Sequence, residues 1–119
     1  MTTWKTSIMN ENNIVNLAER ARAHLANGRL KDARTLLERL CNVDKDNEEN
    51  WLLLAVVNGE TGQIDEALGC ASQAIELDDT YVEAHLTRAR LLQKTGNDEE
   101  AVNSALKAVE IDSDYDEAW

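Results

Sequence analysis

Residues 51–74, WLLLAVVNGETGQIDEALGCASQA, decide the fold, because their small residues recur in the chain at one fixed spacing. Gly62 in this stretch has counterparts at Gly28 and Gly96, each 34 residues away. Two alanine columns share the spacing, at 21, 55 and 89 and at 33, 67 and 101. One residue type returning three times is common, whereas three columns in one register indicate a repeat architecture.

This period divides the chain into three repeats and two extensions: 1–13, 14–47, 48–81, 82–115 and 116–119. A glycine that follows a helical run supplies the left-handed residue that ends a helix, and alanines let two antiparallel helices approach closely. We predict a first helix A and a second helix B in every repeat, and no strand. Helices A are expected near 14–27, 48–61 and 82–95, and helices B near 31–43, 65–77 and 99–111.

The middle repeat reads Trp51-x-x-Leu54-Ala55-x-x-Asn58, followed by Gly62, Ala67, Ala71 and Ala74. This pattern resembles the tetratricopeptide repeat (TPR), a helix–turn–helix unit of 34 residues. Matching positions in the other repeats are Leu17, Ala21, Gly28, Ala33, Leu37 and Leu40, and Ala89, Gly96, Ala101, Ala105 and Ala108. The resemblance implies an all-α fold, a right-handed α-solenoid of three TPR repeats plus the start of a fourth.

The chain departs from the family pattern in having no proline after helix B. We therefore expect aspartates between the repeats to cap the helices: Asp44, Asp46, Asp78, Asp112 and Asp114. Larger apolar residues are expected to fill the seams between helices: Leu36, Leu37, Leu40, Val43, Ile64, Leu68, Ile75, Leu77, Val102, Val109 and Ile111. Cys41 is predicted in the core and Cys70 nearer the convex surface. His24 and His85 are predicted to be half-buried structural side chains.

A net charge of −11 and a pI near 4.5 argue against a nucleic-acid ligand, which needs clustered Lys and Arg, and against anionic membrane surfaces. No apolar run is long enough to span a membrane. Residues 1–13 lack the apolar core of a signal peptide, so we expect a cytoplasmic protein. Trp4 and Ile8 of this segment are candidates to cover the open face of the first repeat.

Residues for catalysis or metal binding are sparse. The chain has two His and two Cys without a metal-binding spacing. Asp112-x-Asp114-x-Asp116 imitates the opening of a calcium loop, but Glu117 stands where that loop needs glycine. We predict no enzymatic activity, no cofactor and no metal.

The resemblance implies a concave groove lined by helices A, in which positions 2, 5, 6, 9, 12 and 13 of each repeat face a peptide or a partner helix. The predicted groove residues are Arg22, Leu52, Leu53, Val56, Leu86, Thr87 and Arg90. The alternative for Leu52 and Leu86 is packing between helices A. The chaperone-tail clamp of some family members maps to Ala18, Arg22, Leu53, Glu83 and Thr87. Only Arg22 among these can donate to a carboxylate, so we do not predict chaperone-tail binding.

The sequence thus predicts a protein-interaction scaffold with a protein or peptide partner. The alternative is the N-terminal TPR region of a larger enzyme, such as a glycosyltransferase or sulfotransferase. Residues 116–119 restart the period, which suggests a longer array. We also expect self-association through an open C-terminal seam in which Ala105, Ala108 and Val109 are partly uncovered.

Overall fold

The computed structural model describes the backbone of residues 3–117 and the side chains of residues 13–113. This part of the chain is all helical: α1 (Thr3–Ala26), α2 (Leu30–Val43), α3 (Glu48–Glu60), α4 (Ile64–Leu77), α5 (Val82–Lys94) and α6 (Asp98–Glu117). The fold class and the helix–turn–helix pattern are confirmed. The roles predicted for Trp4, Ile8, Asp114 and Trp119 concern side chains outside the described residues.

Each predicted turn glycine has a positive φ: 71° at Gly28, 85° at Gly62 and 81° at Gly96. At the central turn the Gly62 N–H donates to the Gly59 carbonyl, and the Gln63 N–H reaches back to the Asn58 carbonyl at 2.8 Å. The same pair of bonds recurs at the other two turns, ending on the carbonyls of His24 and Leu92. This is the Schellman pattern, which satisfies the last carbonyls of a helix and starts the chain back.

The chain divides into two compact units, Met1–Asp46 and Asn47–Trp119. In the first unit α1 packs against α2. The buried residues of this unit include Ala21, Ala33, Leu36, Leu37, Leu40 and Cys41. Helix α1 begins at Thr3 rather than near residue 14, because no glycine or proline precedes Gly28 to interrupt it.

The second unit contains the pairs α3/α4 and α5/α6, and α5 packs against both α3 and α4. Leu52, Ala74 and Ala84 form a buried cluster in this unit, with Trp51, Ile75 and Tyr81 packed around it. Helix α6 continues to Glu117 instead of ending near 111, since nothing after Gly96 breaks it. Asp112 therefore lies inside a helix, and the expectation that it caps one is wrong.

The other aspartates expected to cap helices A do not do so. Asn47 caps α3, its side-chain oxygen accepting from the Glu49 and Asn50 N–H groups, and Tyr81 precedes α5 without a side-chain cap. Asp44 and Asp78 instead stand at the C-cap positions of α2 and α4, where their backbone N–H groups donate to the Leu40 and Ala74 carbonyls. The Asp78 carboxylate accepts from the Thr80 hydroxyl at 2.6 Å and from its N–H at 3.0 Å.

Three predicted seam residues and one cysteine lie elsewhere than expected. Val43, Val102 and Val109 are more than half exposed, because these valines lie on faces of α2 and α6 that no described helix covers. Cys70 is buried rather than near the surface, with the Asn58 amide 3.9 Å from its sulfur. The same repeat position is also buried in the other two repeats, at Leu36 and Ser104.

Candidate peptide-binding site

The site is the face of the second unit on which the helices A, α3 and α5, run side by side. Their close approach depends on Gly59, because a Cβ atom there would stand 2.9 Å from Cδ2 of Leu91. Gly59 and Leu91 are both buried. The contact fixes the spacing of the two helices and therefore of the side chains on either side of it.

The structure separates the predicted groove residues of this unit into accessible and buried ones. Val56 and Leu86 are 38 % and 36 % exposed, Leu53 is half-buried, and Arg90 is exposed. Leu52 and Thr87 are only 8 % and 7 % exposed, so each offers little surface to a ligand. Leu52 belongs to the buried cluster with Ala74 and Ala84, which is the packing alternative.

A small cleft of about 60 Å³ brings Val56, Thr87 and Arg90 together between α3 and α5. It is completed by Ala55, Gly59, Glu60, Leu91 and Lys94. Glu60 and Lys94 are absent from the predicted set, although both stand at position 13 of their repeats, one of the groove-facing positions. The repeat register therefore already contained the signal for them.

The cations of this face lie on α5, and Glu60 at the end of α3 adds one exposed carboxylate to the cleft. Arg90 and Lys94 are both exposed and one helical turn apart, which places them on the same side of the helix. Within the described part of the chain, neither makes an ion pair or a hydrogen bond through its side chain. Two such cations beside Val56 and Leu86 can hold a carboxylate while an apolar side chain rests on the valine and leucine.

Arg22, the remaining predicted groove residue, is exposed on α1 in the first unit. That unit has its own surface cleft of about 710 Å³ between α1 and α2. The cleft is lined by Asn13, Ile14, Asn16, Leu17, Arg20, Arg39, Asn42 and Val43, and Arg22 is not among them.

The two histidines and Tyr81 lie in structural surroundings near the helix ends. His24 is half-buried, as predicted, whereas His85 is buried more deeply than predicted, with Nε2 2.9 Å from the Asp79 carbonyl oxygen. Burial, followed by nearby carboxylates of which Glu49 has the largest effect, raises the pKa of Tyr81. Among the described residues, no group of three or more His, Cys, Asp or Glu side chains could hold a metal ion.

The fold and the turns define a helical-repeat protein of the kind that builds α-solenoids. Family models described as tetratricopeptide repeat match residues 15–57 and 82–115. The chain belongs to the tetratricopeptide-repeat family. Comparison with curated protein sequences gives no match.

Solved structures with this fold include the second TPR domain of Spaghetti (RPAP3) bound to an HSP90 peptide, at 20 % identity and a TM-score of 0.80. That match covers 87 % of this chain and 97 % of the other. The Yersinia enterocolitica type III secretion chaperone SycD, in complex with a peptide of the translocator YopD, matches at 23 % identity and a TM-score of 0.81, covering 84 % and 76 %. MamA matches at 20 % identity and a TM-score of 0.82, covering 90 % and 63 %. Within the described residues, no helix is long and apolar enough to cross a membrane.

Proposed function

We propose that this chain is a non-enzymatic interaction module whose α3/α5 face binds a protein segment with an apolar anchor next to an acidic residue. The observation that carries the proposal is the placement of exposed Val56 and Leu86 beside Arg90 and Lys94. An exposed apolar patch with a charged rim is typical of a partner site. The peptide complexes of RPAP3 and SycD support a peptide or partner helix as the ligand of this fold.

The acidic preference follows from local charge rather than from the whole molecule. The chain has a net charge of −11, so an acidic ligand approaches against the overall field. Arg90 and Lys94 offset that repulsion only where they stand, which makes binding specific to a ligand whose acid meets them. Leu53, Glu83 and Thr87 occupy clamp positions without supplying a cation, so the ligand differs from an acidic chaperone tail.

A display library of random peptides, selected on the wild-type chain, tests the proposal. We expect selected peptides to combine leucine-like residues with Asp or Glu, and to lose binding to the Val56→Asp variant. Val43→Asp is the matched control, because Val43 is an exposed valine on α2 at a repeat position that does not face the predicted groove. Peptides that bind the Val56→Asp and Val43→Asp variants equally well would place the site on another surface.

A second pair of variants isolates the charge. Lys94→Glu and Lys107→Glu change the net charge by the same amount, but Lys107 lies on α6, outside the α3/α5 cleft that Lys94 lines. Loss of one charge-assisted contact should weaken binding roughly tenfold in Lys94→Glu and leave Lys107→Glu near wild type. Equal weakening in both variants would show that only overall charge matters.

Two broader aspects belong to the same proposal. Cys41 and Cys70 are buried thiols, which suits the reducing cytoplasm. The alternative, that these repeats serve as the N-terminal region of a larger enzyme, leaves the α3/α5 face with the same binding role. Reading the coding sequence past Trp119 separates the two.

A further inference from the structure

A second surface, here called the α5/α6 face, lies between α5 and α6 and shares Leu86 and Arg90 with the α3/α5 face. It carries a cleft of about 520 Å³ with small residues, Ala89, Ala101 and Ala105, between Leu86 and Val102. Arg90, Gln93 and Asp98 complete its lining. The cleft combines a shallow apolar floor with both signs of charge.

The repeat period shows what such a surface accepts. The residues 34 positions earlier, Ala55, Ala67 and Ala71, are fully buried, and Leu52 is 8 % exposed. Helix α5 packs against both α3 and α4, the helices that carry these residues. The α5/α6 face therefore repeats a surface that, in the preceding pair, is covered by a helix.

Helix α6 also carries an apolar stripe, of which one residue, Leu106, is not explained by a further repeat. The other two, Val102 and Val109, stand 34 residues after Leu68 and Ile75, which are half-buried. Val102, Leu106 and Val109 are spaced i, i+4 and i+7, and they are 56 %, 58 % and 59 % exposed. The column of Leu106 holds Glu38 and Ser72 in the earlier repeats, and both are exposed. Since Ser72 stays exposed although α5 covers its repeat, another repeat packed in the same way would leave Leu106 in water.

We propose that the occupant of the α5/α6 face is the same face of a second copy of this chain, related by a two-fold axis. The stripe of each copy then packs over the small-residue floor of the other, ridge into groove. In this arrangement Arg90 of one copy pairs with Asp98 of the partner subunit. Because an isologous contact occurs twice, Asp98 of the first copy also pairs with Arg90 of the partner subunit. Within the described part of the chain, neither side chain has an ion-pair partner of its own.

A head-to-tail chain of copies fits the sequence less well. On α5 the residues at positions 3, 6 and 10 of the repeat are Ala84, Thr87 and Leu91, all buried. On α1 the same positions hold Asn16, Glu19 and Ala23, all exposed. Helix α1 therefore does not offer the apolar surface with which α5 covers its neighbours, and closure into a dimer is favoured.

Sedimentation equilibrium of the chain over a wide concentration range tests this, at moderate salt to screen the repulsion between two copies of charge −11. We expect a monomer–dimer equilibrium that Leu106→Ser weakens about tenfold or more. Val15→Ser, at a similarly exposed apolar position on α1, is the matched control and should leave the equilibrium unchanged. A strict monomer, or equal weakening by both variants, would overturn the proposal.

Charge exchange tests the two-fold pairing itself. Arg90→Glu and Asp98→Arg should each weaken the dimer, because each places like charges opposite one another twice. Mixing the two variants should restore association as a heterodimer, and the double variant should restore it as a homodimer. Failure of both restorations, with helical circular dichroism intact, would overturn the two-fold arrangement. Leu106 lies outside the α3/α5 cleft, so peptide binding by Leu106→Ser distinguishes this proposal from the proposed function.

Discussion

The α3/α4 pair and the α5/α6 pair contain the same columns of small and apolar residues, yet they present them to different surroundings. Ala71 is fully buried and Ala105 only half-buried; Leu52 is 8 % exposed and Leu86 36 %. The backbones of the two pairs turn at equivalent glycines with similar φ angles. The conformation of the turn is therefore determined within each repeat, whereas the burial of its side chains depends on the helices packed against it.

The largest expected effect compares the two leucines of one column. Leu52→Ala removes a side chain from the cluster with Ala74 and Ala84, and it should lower the free energy of unfolding by about 2–4 kcal/mol. Leu86→Ala should cost about 1 kcal/mol or less, because its side chain already meets water. Urea unfolding followed by circular dichroism measures both. Equal losses of unfolding free energy would mean that Leu52 and Leu86 are equally buried in solution.

The next comparison adds volume instead of removing it. Ala71→Leu inserts a side chain where no space is left and should cost about 1–3 kcal/mol. Ala105→Leu projects toward the open cleft and should change stability by less than about 0.5 kcal/mol. The same unfolding experiment applies. A large loss in Ala105→Leu at low protein concentration would contradict an open α5/α6 face.

Substitutions of the turn glycines should lower stability equally in the α3/α4 pair and the α5/α6 pair. Gly62→Ala and Gly96→Ala should each cost about 1 kcal/mol, because no atom crowds the added Cβ and only the positive φ resists it. Gly69 is the matched control: it lies in the interior of α4 with open space around its Cβ position, so Gly69→Ala should stabilise by a similar amount. Thermal unfolding reads out the sign, and a stabilising Gly62→Ala would contradict the left-handed turn.

The smallest expected effect is the pH dependence of stability that comes from Asp78, in the loop between α4 and α5. Hydrogen bonds from the Thr80 hydroxyl and N–H lower the pKa of Asp78 below its ordinary value of 3.8. A lowered pKa contributes stability that is present above 3.8 and is lost as the pH falls through the lower, folded-state pKa. Asp78→Asn should flatten this part of the pH profile of the free energy of unfolding. A profile in Asp78→Asn with the wild-type slope would remove the role of Asp78.

The sequence predicted the helices closely wherever a glycine or the repeat register marked a boundary. The six helices and the three left-handed turns follow from this register. The predicted boundaries were wrong where a helix extends beyond its repeat: α1 begins at Thr3 and α6 continues to Glu117. Neither end carries a residue that stops a helix. The aspartate side-chain caps expected at the starts of helices A were also wrong. A side chain caps a helix only from the N-cap position, and Asn47 occupies that position at α3.

For the binding face, the repeat positions placed Val56 and Arg90 in one cleft but did not separate Leu53 from Leu52. Adjacent positions of a helix differ by about 100° in direction, and either neighbour satisfies an apolar pattern. The choice depends on the distance between α3 and α5, which the contact of Gly59 with Leu91 sets.

By itself, the sequence determined the repeat, the helical hairpin and the position of each turn, because glycine conformation and close helix crossing are local requirements with strict residue preferences. The tertiary structure alone decided which leucines are core and which are surface, and which cations stand beside an apolar patch. Burial depends on what packs against a residue from another helix, and equivalent positions of two repeats have different neighbours.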